Sequence, residues 1–457
     1  MFTAFSFMGT VRTLPRDIST PSTATRAIRR QAFRMLSVPL QRAHEWREVS
    51  YRLMDSRDWP AAEQAIFEAV CGDRPLPGDE SDHYSSSSHV PVVQDDVPRE
   101  NQFVRGSRIR HTWALTIAYS GKEFSGYAWQ PDAPKPTVAG CIQSALRSLV
   151  GNEPKILGAI ACAGRTDAGV SALGQRISFW CWPELEEAAI VAAVAAAAPI
   201  PGSLRVVSAK HTLDKTYHAT FGTAWRRYAF LLPPAAGATR ADVEKEAAEM
   251  DAMLRALAHE PRDYSALARG MPKGKDTTMT LYHASARVVP LGLGSSKGSS
   301  YPSTTNNNSL FATRVDLVGD RFLRRQVRTL VATAAATTSA ALKLQREMSG
   351  RLSARAPTAA ASLVDVSQGD GDAAHLPGCA ATQPPSAPQL AADHIAGADA
   401  LADAVADVPN SAGLAQALLH AVTSGRQELT AHAAPAEGLI FAAAGGEGED
   451  WRWRRHD

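Results

Sequence analysis

The chain has 457 residues, 45% hydrophobic and 21% charged, with a formal net charge of +2. That length suits roughly two to four domains, and the composition is that of an ordinary globular chain able to bury a sizeable core. The near balance of charge neither demands nor excludes a polyanionic partner, so local clusters must carry that argument. The most apolar run, Ala188 to Pro201, is far short of the ~20 residues a membrane-spanning helix needs. The cysteines at 71, 141, 162, 181 and 379 have neither metal-ligand spacing nor the look of a disulfide framework, which favours a reducing compartment. Cys162 lies close to the key motif below and reads as a small buried thiol.

In chain order, the leader comes first. Arg12, Arg16, Arg26, Arg29, Arg30 and Arg34 are interleaved with Ser and Thr, and Asp17 is the sole acid before Glu45. Residues 1–45 therefore read as an organellar transit peptide, for a mitochondrion or plastid. The other reading is a basic tail on a cytoplasmic or nuclear protein. Residues 46–110 read as a poorly ordered extension, with a short helix between Arg47 and Ala69. The polar stretch near 79–100, with DESDHYSSSSH, serves as a linker.

Order is predicted from Trp113. WALTIAYS alternates, with Trp113, Leu115, Ile117 and Tyr119 on one face, so it reads as a strand. Thr137 is a predicted N-cap for a helix carrying Val138, Ile142, Ala145 and Leu149. Strands follow at 175–182, 204–211 and 224–232, with a helix at 184–198 ended by Pro199. A helix over 241–259 and a strand over 277–289 come next. A polar stretch then lengthens a hairpin loop, which costs little, before a strand at 310–318 and a helix at 320–336. Residues 343–407 are rich in Ala, Asp, Pro, Gln and Ser and read as a disordered insertion. Periodicity returns at Leu414, Leu418 and Leu419, a last strand follows Gly438, and residues 447–457 form a basic tail. Strands and helices mix without strict alternation, which argues for an α+β fold with helices on one face of a largely antiparallel sheet.

Four segments could carry chemistry. In GRTDAGV (164–170) two glycines bracket Arg165 and Asp167. The segment reads either as a tight turn or as a carboxylate held on a rigid loop beside its own arginine. In WRRYAF (225–230) alternation puts Arg226, Tyr228 and Phe230 on one strand face. That is either an amphipathic strand or an aromatic platform for an extruded base, flanked by phosphate-binding guanidiniums. In RFLRRQVR (321–328) Arg321, Arg324, Arg325 and Arg328 have helical spacing and would share one face. Such a face is either solvated or meets a polyanion that relieves its self-repulsion. PAEGLIF (435–441) reads as a turn into an apolar strand.

Together and in this order, the four segments resemble the TruA family of pseudouridine synthases, over about Trp113 to Phe441 apart from two insertions. GRTDAGV with the following Leu173-Gly174-Gln175 is the most specific part, and Tyr119 to Gln130 resembles the family's N-terminal strand and loop. The resemblance implies a pseudouridine synthase fold. Its sheet would be mixed and mainly antiparallel, with flanking helices and two α/β halves around a basic cleft. The halves would be 111–235 and 236–342 plus 408–446. It also implies isomerisation of uridine to pseudouridine in tRNA, in the anticodon stem-loop around positions 38 to 40. No cofactor or metal is implied. The expected partners are tRNA and a second copy in a homodimer, with no membrane.

By matching position, Asp167 resembles the essential aspartate, as nucleophile at the sugar or as the base that starts glycal formation. Tyr228 would stack on the base and assist proton transfer at C5. Arg328 would pair with Asp167, Arg165 would help hold the flipped nucleotide, and Leu439 would form the apolar wall behind the base. Arg226, Arg227, Arg324 and Arg325 would contact phosphates. The chain departs from the family pattern at Ser171, at Ala196 to Pro199, at Thr220 and in the loop Tyr127-Ala128-Trp129. A non-catalytic RNA-binding protein or RNA chaperone on the same scaffold is the competing expectation. A hydrolase using Asp167 lacks a second carboxylate on a partner motif.

Overall fold

In the computed structural model, the structure describes residues 40–72, 74–79, 109–152, 157–272, 274–291, 311–355 and 411–449. Most of the predicted transit peptide, most of the linker, most of the lengthened hairpin loop, most of the Ala-rich insertion and most of the basic tail lie outside them. Seven α-helices are seen among these residues: α1 Leu40–Asp55, α2 Trp59–Cys71, α3 Val138–Val150, α4 Glu187–Ala196, α5 Arg240–Arg255, α6 Gln326–Arg355 and α7 Ser411–Thr423. The strands are β1 His111–Tyr119, β2 Ala161–Cys162, β3 Ser171–Cys181, β4 Leu204–Thr212, β5 Trp225–Leu232, β6 Pro261–Asp263, β7 Thr278–Pro290, β8 Phe311–Gly319 and β9 Leu439–Gly445.

The strands form one sheet in the order β4-β1-β3-β9-β5-β8-β7-β6, with β2 beside β3. Every pairing is antiparallel except that of β3 with β9. The protein is thus α+β with a mixed, mainly antiparallel sheet, as expected. The sheet does not divide at residue 235, however. β5 lies beyond β9, among the strands of the predicted second half, and the parallel β3–β9 pair is the seam.

Local chemistry sets the helix starts. Thr137 Oγ1 accepts from Gly140 N at 3.2 Å and starts α3. Thr239 and Asp242 exchange hydrogen bonds in a capping box that starts α5. α6 differs from expectation. It begins at Gln326 rather than Asp320 and continues to Arg355, into the segment predicted to be disordered. Gln326 Oε1 accepts from Leu323 N at 2.7 Å, and Arg325 has φ 61°, which breaks helical geometry just upstream. Arg321, Arg324 and Arg325 therefore precede the helix, and the predicted four-arginine helical face does not exist.

The N-terminal segment also differs. Its described residues, 40–72 and 74–79, belong to the body of the fold. Ala61, Ala62, Ala65, Ile66, Ala69 and Val70 of α2 pack on Ala118, Ala229, Leu231, Ala312 and Ile440, on the second face of the sheet. Small side chains let helix and sheet approach closely, and helices consequently cover both faces rather than one. Trp59 meets Phe230 edge-on, with ring centroids 6.0 Å apart. Arg57, 5% exposed, pairs with Glu246 of α5 at 2.6 Å. Arg314 of β8 donates to the Pro77 carbonyl at 2.8 Å and pairs with Asp79 at 2.8 Å.

A fragment starting at Arg105 should thus expose an apolar sheet face and leave Glu246 and Arg314 short of buried partners. We expect it to aggregate or to melt well below the full chain, since breaking one buried ion pair alone costs about 3–5 kcal/mol. Circular dichroism melts of both proteins check this. A fragment melting with the full chain would show that α2 contributes nothing.

Candidate active site

The Asp167 loop runs from the end of β2 into β3, directly over the parallel seam. Ser171 and Ala172, just after it, pair with Ile440 and Phe441. The loop is gripped from several sides. Gln175 donates through Nε2 to the Gly164 carbonyl at 2.6 Å and accepts from Gly164 N at 3.4 Å. The Tyr119 hydroxyl and Thr166 Oγ1 share a buried hydrogen bond of 2.8 Å. Tyr127 N donates to the Thr166 carbonyl at 3.1 Å, and Gly121 N to Ser171 Oγ at 2.9 Å. Gly121 is required by space: a Cβ there would stand 2.3 Å from the Val170 carbonyl carbon. Gly169 is required by conformation, with φ 82°. Such a lattice holds a reacting group in place without reorganisation.

Asp167 keeps a side chain 32% exposed, facing Arg328, whose Nη1 lies 3.8 Å from Asp167 Oδ2. Arg328 is fixed in turn: its Nε donates to the Ala434 carbonyl, and its own carbonyl accepts from Ala434 N at 3.1 Å. Burial presses the Arg328 pKa below its usual value. The Asp167 charge acts against that, Arg325 adds to it, and Glu437 also opposes it. The predicted ion pair is therefore present, and Glu437 joins its surroundings from the PAEGL segment.

Tyr228 is 8% exposed and sits edge-on to Phe322 and Phe441, with ring centroids 4.9 and 5.0 Å away. A Cβ at Gly164 would lie 3.7 Å from its hydroxyl, so the phenol reaches the start of the Asp167 loop. Burial raises its pKa beyond the usual tyrosine range, the neighbouring Tyr119 and Asp167 add to that, and Arg226 works against it. Tyr228 is thus a neutral phenol at physiological pH, able to donate a proton or a hydrogen bond. Leu439, 6% exposed, is part of the same core as Tyr228 and Phe441.

The remaining arginines part company. Arg226 donates to the carbonyls of Ala163 and Thr223 at 3.0 Å each, and to that of Asp320. Arg227 pairs with Asp316 at 2.9 Å, both side chains nearly buried. The expectation that these two contact phosphate does not hold, because their guanidiniums are engaged inside the protein; Arg226 instead clamps the backbone leading to Asp167. Arg324, Arg325 and Arg165 are exposed and make no ion pair among the described residues. They remain available to an anion. Arg321, the fourth of its cluster, is bound to Asp276 and to the Thr278 carbonyl.

Gln175, Tyr119 and Thr166 were not among the residues singled out for the site. Gln175 lies a few residues beyond the motif in sequence, but nothing local tells that its amide turns back on Gly164. Among the described residues, no group of three or more His, Cys, Asp or Glu could hold a metal ion, and no helix is long and apolar enough to cross a membrane.

Fold and site define an α+β protein in which one carboxylate is braced by a guanidinium, and a neutral phenol backed by an apolar wall reaches the start of the carboxylate's loop. No family model matches the chain. Proteins named tRNA pseudouridine synthase A are similar to it. One from Methylobacillus flagellatus is 32% identical over 179 residues, covering 38% of this chain and 65% of that protein. One from Photorhabdus laumondii is 37% identical over 119 residues, covering 26% and 42%. One from Helicobacter hepaticus is 36% identical over 126 residues, covering 27% and 48%. The chain thus matches about two-fifths to two-thirds of the length of these curated relatives, and the motif resemblance to the TruA family is backed by homology over that stretch. A crystal structure of an unknown protein from Galdieria sulphuraria, 12% identical with a TM-score of 0.14 over 50% of this chain and 92% of that one, is too distant to carry an argument.

Proposed function

We propose that the protein is a tRNA pseudouridine synthase that isomerises uridine to pseudouridine. The observation that carries this is the convergence of Asp167, Arg328 and Tyr228, from three separate segments, with Asp167 and Arg328 3.8 Å apart. A carboxylate beside a fixed guanidinium is held and aimed by it. Placed at C1′ of a flipped uridine, it can trap the cation-like sugar or take the sugar proton that starts glycal formation. The N1–C1′ bond breaks with its electrons going to uracil, the ring turns, and C5 bonds to C1′. The proton from C5 then leaves, and N1 gains one. Leu439 and Phe441 keep the free uracil against an apolar wall. Tyr228, neutral and buried, bears on the ring and on the C5 proton. Arg165, Arg324 and Arg325 supply positive charge for the RNA backbone.

The anticodon arm, around positions 38 to 40, is the substrate region in this reading, and a homodimer is the working unit. The test is to incubate the full chain with unmodified tRNA transcripts and map pseudouridine by carbodiimide-stop primer extension. New stops in the anticodon arm are expected. No stop on any tRNA, despite salt-sensitive binding, would overturn the reading in favour of a non-catalytic RNA-binding protein.

A further inference from the structure

Beside the Asp167 loop lies an open hollow of about 590 Å³ that neither Asp167 nor Tyr228 lines. Its size falls within the range of small-ligand sites. Trp129 forms one wall and is 63% exposed. His218 lines it too, and Phe221, 85% exposed, lies over His218 with ring centroids 4.6 Å apart and planes inclined by 31°. Trp129 and Phe221 are the most exposed aromatic side chains of the described residues. Flat rings left open to water offer faces on which a base can stack. Arg165, from the catalytic loop itself, also lines the hollow and makes no hydrogen bond among the described residues, and Thr220 and Gln143 add polar edges. β2, which supplies part of the lining, is hydrogen-bonded to β3 along one side.

Flat aromatic faces next to a free guanidinium are the elements of single-stranded nucleic acid binding: bases stack on the rings and the cation holds the backbone. One arginine shared between the hollow and the Asp167 loop fixes the spacing. An anion held by Arg165 is then next to both places at once. A nucleotide drawn out of a stack also leaves its neighbour without a stacking partner on one side, and a neighbour needs a new one.

We propose that this hollow is a second nucleobase subsite, in which the nucleotide adjoining the isomerised uridine stacks on Trp129, opposite the His218–Phe221 pair, while Arg165 holds the phosphate between the two. The identity of the first nucleotide rests on the isomerase reading; the stacking of a base in the hollow does not. Stacking on Trp129 favours RNA whose neighbouring base is free to leave the helix, so the subsite contributes to the choice of uridine.

The experiment uses the full chain and its Trp129→Ala, Trp129→Phe and Phe221→Ala variants. Dissociation constants for an unmodified tRNA transcript are measured by fluorescence anisotropy at one salt concentration, and pseudouridine is mapped on the same RNA. Trp129 is mostly exposed, so the variants should melt with the parent. Trp129→Ala is expected to weaken binding roughly 5- to 150-fold, the range for one base–aromatic stack. Trp129→Phe should restore most of the affinity, and turnover at saturating RNA should stay within a few-fold of the parent. Variants that all bind as tightly as the parent would overturn the subsite while leaving the isomerase reading intact. Weakened binding by Trp129→Ala, with no pseudouridine formed even by the parent, would uphold the base subsite and sink the isomerase reading.

Discussion

Replacing Asp167 by Asn should lower pseudouridine formation by roughly 10⁴-fold, on the scale seen when a charged member of a catalytic group is neutralised. Asn has the shape of Asp and cannot serve as a carboxylate nucleophile or base. The fold should be untouched, because the loop is held by Gln175, Tyr119 and Thr166 rather than by the Asp167 side chain. RNA affinity should stay within a few-fold of the parent, since Arg165, Arg324 and Arg325 are unaltered. Single-turnover assays with excess enzyme separate the two quantities. A variant that keeps a tenth of parental turnover would rule out Asp167 as the reacting carboxylate and leave it a positioning role beside Arg328.

Asp316→Ala should destabilise the protein by about 3–5 kcal/mol, the usual result of stripping a buried ion cluster of one member, and lower the melting temperature on the order of 10 °C. Asp316, 5% exposed, accepts from Arg227 at 2.9 Å and from Arg314 at 3.0 Å. Arg314 has no solvent-exposed side-chain surface and would keep only Asp79 and the Pro77 carbonyl. Burial by itself would raise the Asp316 pKa. Arg314 and Arg227 outweigh it and hold the carboxyl well below the usual carboxylate range. With the folded pKa depressed, the contribution is complete above about pH 4, the ordinary aspartate value, and fades only as pH falls further. Urea melts at pH 7 should therefore show the full loss, and hydrogen exchange at Leu76 to Asp79 should quicken. An unchanged melting midpoint would mean that the arginines find other acceptors.

Much of the strand set was legible because alternation is a local signal. Tyr228, Phe230 and Leu232 do fall on one face of β5 and Ala229 and Leu231 on the other. Thr137 was legible as a cap for the same reason: its oxygen meets a backbone N–H three residues on. The arginine cluster misled, because helical spacing says nothing unless the helix has begun, and Gln326 starts it later by bonding to Leu323. Arg226 and Arg227 misled because a charge on a strand looks solvent-bound until its acceptors, Ala163, Asp320 and Asp316, are brought to it from elsewhere.

By itself, the sequence determined the class of fold, the strands and capped helices of its central part, and the loop that carries Asp167. These depend on side-chain periodicity and on glycines whose backbone needs are met within a few residues. Tertiary structure decided the parallel seam of β3 and β9, the packing of the small-residue face of α2 on the second side of the sheet, and the meeting of Asp167 with Arg328. Those rest on contacts between residues far apart in the chain, whose partners are set by how the whole sheet closes rather than by any local pattern.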